Sequence, residues 1–89
     1  MRRAESEDKT LADLRVGQTA TVLAVEGRDE SLIRLMEMGL IKGTRVRLER
    51  IAPLGDPLYL ALRGYCLSIR KSEARRIRVS AVTNGRGPA

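Results

Sequence analysis

The chain has 89 residues, 17 Lys and Arg against 11 Asp and Glu, no histidine, and Cys66 as its single cysteine. That length is one small domain burying roughly 60% of its unfolded surface, and one cysteine excludes a disulfide scaffold. No apolar run approaches the roughly 18–20 residues a membrane helix needs, and MRRAESEDKT is too polar for a secretory signal, so a cytoplasmic protein is expected, with no direct membrane insertion.

Residues 1–9 are small, charged and without period, so they read as a flexible tail. The domain is expected over residues 10–80. Thr10 and Asp13 are spaced for a short capped turn, which tucks Leu11 and Leu14 inward. Gly17 releases the chain into a strand, QTATVLAVE, from Gln18 to Glu26. Its register is open: Val22 with Ala24, or Leu23 with Val25, faces the core. Gly27 ends it.

Asp29 to Met38 predicts a helix, with Asp29 as its N-cap and Glu30 at the positive end of the dipole. Leu32, Leu35, Met36 and Leu40 fall at helical spacing and predict the buried stripe. Gly39 stands where a left-handed cap would end the helix. Gly43 starts the next strand, Thr44 to Ala52, with Val46 and Leu48 on one side. Ile51 breaks the alternation, which predicts a bulge or bend. Pro53, Leu54, Gly55, Asp56 and Pro57 form a corner, because two prolines remove two ladder donors. Leu54 sits at its tip, either tucked inward or offered to a partner.

Leu58 to Arg63 and Tyr65 to Lys71 alternate on either side of Gly64 and predict a hairpin. Leu58, Leu60 and Leu62 face inward from one arm, and Tyr65, Leu67 and Ile69 share a face on the other. Ser72 to Arg75 predicts one helical turn with Ser72 as cap. Ile77, Val79 and Ala81 make a short last strand, and residues 81–89 read as a flexible tail. The result is mainly β. Five short strands, a helix over about 29–38 and a helical turn before the last strand suggest a small closed barrel, since closure removes exposed edges.

The pattern does not carry an enzyme. The commonest general base is missing, and Cys66 has no histidine to activate it. Asp29, Glu30 and Glu37 come nearest to a metal cluster, but a helix cap and a solvated face account for them. Gly39 to Thr44 mimics a phosphate loop and fails on spacing. No cofactor is expected. Thirteen of the basic and eight of the acidic side chains fall in residues 10–80, which suits an anionic partner or merely a solvated face. A nucleic-acid-binding barrel is the alternative, but the only stacking platforms are Tyr59 and Tyr65. What remains is a module that binds through aliphatic and basic surface, with Met38, Ile41, Leu54, Arg50 and Arg70 as candidate contacts. Met38, Ile41 and Leu54 could equally be core.

Three blocks, taken in order and spacing, resemble the ferrous iron transport protein A (FeoA) family. They are Leu35-x-x-Met38-Gly39-Leu40-x-x-Gly43, then Ala52-Pro53-Leu54-Gly55-Asp56-Pro57, then Leu67-Ser68-Ile69-Arg70-Lys71 with Ala74. The resemblance runs from about Thr10 to Val79 and implies an SH3-like barrel with a helix inserted after the first strand. It is similar to the barrel of metal-dependent transcriptional repressors. It further implies a cytoplasmic accessory of ferrous iron uptake that docks on the GTP-binding part of the transporter FeoB. Without histidine or a carboxylate cluster, protein contact is favoured over direct iron binding.

Overall fold

The computed structural model of the chain describes residues 9–84. A 3-10 turn, Leu11–Asp13, leads into β1 (Gln18–Val25), α1 (Glu30–Glu37), β2 (Arg45–Ile51), β3 (Leu58–Leu62), β4 (Tyr65–Ile69), α2 (Lys71–Ala74) and β5 (Ile77–Asn84). The strands form one antiparallel sheet in the order β4-β3-β2-β1-β5. The strand count, the inserted helix and the turn before the last strand are as the sequence predicts.

β1 keeps neither of its two registers throughout: Val22 of the first is buried, but Ala24 is only half-buried and Val25 of the second packs against the core. Ala20 and Val22 are buried and Leu23 is only half-buried. Register shifts at Thr19–Thr21 and Val22–Ala24 bend the strand, so it serves both β2 and β5. In β2, Val46 and Leu48 point inward. The irregularity expected at Ile51 falls earlier, between Leu48 and Arg50, and Ile51 ends up exposed.

Closure differs from a simple barrel. Among the described residues no ladder joins β4 to β5. The gap is spanned by α2, which connects the two strands, with the 3-10 turn packed on α2 and β5. Helical turns therefore do part of what strand pairing would do. The enclosed core is aliphatic apart from Thr19 and Thr44, with Leu32, Leu40, Val46, Leu48, Leu60 and Ile77 fully buried.

Several local expectations need correcting. β5 does not stop near Ala81: it bends there, with φ +53°, and continues to pair Thr83 with Thr19 and Asn84 with Gln18. Lys9, read as tail, accepts a backbone hydrogen bond from Val79 at 2.9 Å. The remaining tail residues, 1–8 and 85–89, lie outside the described residues. Tyr65 is not core; it is 40% exposed at the start of β4. Met36 is only half-buried. Ser72 is not the cap of α2. Arg70 holds that position, and its N–H donates to Glu73 Oε1 at 2.8 Å.

Candidate functional site

A groove of about 650 Å³ runs between α1 on one side and β4 with α2 on the other. Its geometry starts at the end of α1. Leu40 N donates to Leu35 O at 3.1 Å and Gly39 N to Met36 O at 3.0 Å, the bond pair of a Schellman cap. Gly39 supplies the required positive φ of +110°. Leu40 thereby folds under Leu35, and both are buried. The cap fixes which face of α1 turns to the groove: Leu32, Leu35 and Met38, with Arg34 at the rim.

The other end of α1 is held by Arg76. Its Nε donates to the Glu26 carbonyl at 3.0 Å, and its Nη1 to Asp29 Oδ2 at 2.7 Å. Asp29 stands at the N-cap position, but its side chain makes no cap hydrogen bond; it serves the ion pair instead. A Cβ on Gly27, where φ is +134°, would collide with the Arg76 guanidinium. The glycine is needed for this clamp to close.

The β4 wall is positioned by the corner and the hairpin. Arg63 and Gly64 take φ of +51° and +86°, as a two-residue type I′ turn requires. At the opposite end the Asp56 carboxylate accepts a hydrogen bond from the Lys71 N–H at 3.0 Å. The corner thus caps α2 across 15 residues of sequence. Gly43 and Gly55 also take positive φ, and the Asp56–Pro57 bond is cis.

The groove has an aliphatic floor and a rim whose charges divide. Asp29 is paired with Arg76, and Glu73 Oε1 is occupied by the Arg70 N–H. Arg34 and Arg70 form no ion pair among the described residues. Two rim cations are therefore available to an anionic group.

Of the five candidate contacts, the structure brings Met38 and Arg70 together in this groove. Ile41 is 42% exposed just past the end of α1 but does not line it. Arg50 lies on a different face, between β2, β3 and β4, with its guanidinium 4.1 Å from the Tyr59 ring centroid. Leu54 is 96% exposed at the corner tip, which decides the open question in favour of outward display. Sequence reasoning missed Arg34. It lies one helical turn before Met38, a spacing that could have been read.

Cys66 is exposed in a chain without histidine. Among the described residues, no group of three or more Cys, Asp or Glu side chains could hold a metal ion. None of their helices is long and apolar enough to cross a membrane. The arrangement offers binding: aliphatic surface, two available cations and a strand edge.

Comparison with known proteins agrees with this picture. The FeoA domain family model matches residues 9–81. The chain is 34% identical over 74 residues to the Fe(2+) transport protein A/Fe(2+) transporter FeoB fusion protein of Porphyromonas gingivalis (strain ATCC BAA-308 / W83). That match covers 83% of this chain and 9% of the relative, so the chain spans under a tenth of the fusion's length. The solution NMR structure of the FeoA protein from Chlorobium tepidum superposes with a TM-score of 0.76 at 36% identity, over 81% of this chain and 69% of that one. Stenotrophomonas maltophilia FeoA, a crystal structure with zinc described as a prokaryotic SH3 domain protein, gives a TM-score of 0.71 at 32% identity, over 82% and 91%. The fold is SH3-like.

Proposed function

The chain belongs to the FeoA domain family, and from that membership we propose a non-enzymatic accessory of ferrous iron uptake that docks on the cytoplasmic GTP-binding part of a FeoB-type transporter. The observation that carries this reading is the fusion: in Porphyromonas gingivalis a segment like this one is joined to FeoB in a single chain. Covalent linkage fixes the two parts at high effective concentration, a benefit only if they work in contact. The Stenotrophomonas maltophilia relative, put forward as a ferrous iron transport activating factor, supports the same role.

The geometry suits docking better than chemistry or nucleic-acid binding. Arg45 is engaged within the fold: its Nη1 donates to Thr21 Oγ1 and the Ala81 carbonyl, and its Nη2 to Thr83 Oγ1. Arg76 and Arg78 are paired with carboxylates. Arg45, Arg76 and Arg78 are thus engaged within the fold, which leaves them less open to a phosphate backbone.

Calorimetry of the chain against the cytoplasmic part of FeoB, and co-purification with the full-length transporter, test the proposal. Binding is expected, weakened about tenfold or more by Met38→Glu, because a carboxylate there would have to be desolvated against the aliphatic floor. Absence of binding by the unaltered chain in both formats overturns it.

A further inference from the structure

We propose that the outer edge of β4 is a strand-addition site. Its ligand is an extended partner segment with aliphatic residues at alternate positions and Asp or Glu between them. The proposal deepens the docking role above and rests on it for the partner's identity.

The hairpin sets which backbone groups are on offer. A two-residue turn makes Leu62 and Tyr65 a hydrogen-bonded pair, so by alternation Leu60 with Leu67 and Leu58 with Ile69 are bonded too. Cys66 and Ser68 therefore turn their N–H and C=O groups away from β3. Arg70, next in the alternation, is already occupied. Its N–H donates to Glu73, and its C=O accepts from Glu73 N at 3.0 Å and Ala74 N at 2.9 Å. The edge offers two donors and two acceptors, at Cys66 and Ser68.

The groove meets that edge directly. Leu67, Ser68, Ile69 and Arg70 line it in unbroken succession. A strand seen from one face shows every second residue; a strand seen from its edge shows all of them. Across the groove stand Leu32, Leu35 and Met38 of α1. A segment lying there gains backbone bonds on one side and aliphatic contact on the other.

The two sheet edges are treated differently. β5 is shielded: Lys9 and Thr10 pair along it at Val79 and Arg78, and it bends at Ala81. β4 (YCLSI) has no proline, no charge and no bulge, the devices that keep an edge from pairing. An unguarded edge beside an aliphatic groove is the arrangement used by domains that bind peptides as added strands. The available cations Arg34 and Arg70 select for acidic residues in the ligand. A second copy of β4 would bring no carboxylate to them, which favours a different chain as occupant.

The test uses the chain labelled with nitrogen-15 and a blocked heptapeptide alternating leucine and glutamate, beside the same peptide with its backbone amides methylated. Slowed amide exchange at Cys66 and Ser68 is expected with the parent peptide. Affinity is expected to fall about tenfold or more on methylation, and likewise in Ser68→Pro, as befits the loss of bonds at a desolvated edge. Methylation leaves the protein untouched, so it decides the matter even if Ser68→Pro misfolds. Equal binding by the methylated peptide overturns the proposal. So does displacement of the peptide by a single-stranded oligonucleotide, or protection of the edge without ligand through self-association. The FeoB cytoplasmic part is titrated in parallel. If it binds the unaltered chain and the parent peptide neither competes with it nor loses affinity on methylation, the site is wrong and the docking role stands. If the peptide behaves as expected and FeoB does not bind, the docking role is wrong and the edge site stands.

Discussion

Arg76 and Asp56 each hold two distant parts of the chain together. Arg76 ties the loop before α1 to the start of β5, and Asp56 ties the corner to α2. As a surface ion pair, Arg76–Asp29 contributes about 0.2–1 kcal/mol. The Asp56 cap should contribute more, because it satisfies an N–H at a helix start that no backbone carbonyl can reach. Asp56→Ala is expected to cost about 1 kcal/mol, read from the midpoint of urea unfolding. Gly39→Val is expected to cost about 1–2 kcal/mol from positive φ alone. The side chain would also press on the Tyr65 hydroxyl, 3.3 Å from the first added carbon. Gly39 was legible because only glycine is cheap in that conformation. The partnership of Asp56 with Lys71 was not, since residues so far apart carry no spacing signal.

At the scale of elements, the hairpin carries a small strain. Arg63 sits at φ +51°, where asparagine or glycine would be easier. Arg63→Asn should recover part of the roughly 1–2 kcal/mol left-handed penalty. The expected result is a higher urea midpoint with an unchanged slope. α1 and the hairpin were legible in outline, because their apolar periods of 3.6 and 2 are unambiguous. Their details were less so. Met36 fits the stripe by spacing but is only half-buried, because the helix ends at Glu37 and the cap turns inward through Leu40 instead. Tyr65 has the inward parity, yet lies at the strand's first position, where its hydroxyl comes close to Gly39. Parity assigns a face; position along the strand decides whether that face is covered.

For the molecule as a whole, a thin margin is expected from the chain's length. Domains of this kind are stable by about 5–15 kcal/mol. Leu60→Ala, at a fully buried site, should remove about 2–5 kcal/mol of that and bring thermal unfolding close to working temperature. Leu54→Ser should change stability by no more than about 0.5 kcal/mol, since the side chain is 96% exposed. Paired calorimetric melts check both. The number of strands was legible from corners and alternation. The use of α2 and the 3-10 turn to span the gap from β4 to β5 was not. Such closure depends on how far the sheet curls, and no local pattern records curl.

The bond between Lys71 and Asp56 has one mechanical consequence. It fastens the projecting leucine tip to the mouth of the groove, although the two lie on separate segments. A partner that levered the tip outward would have to release that amide to solvent, while one that filled only the groove would leave it latched. Deuterium uptake at the single Lys71 amide therefore tells a one-point grip from a two-point grip.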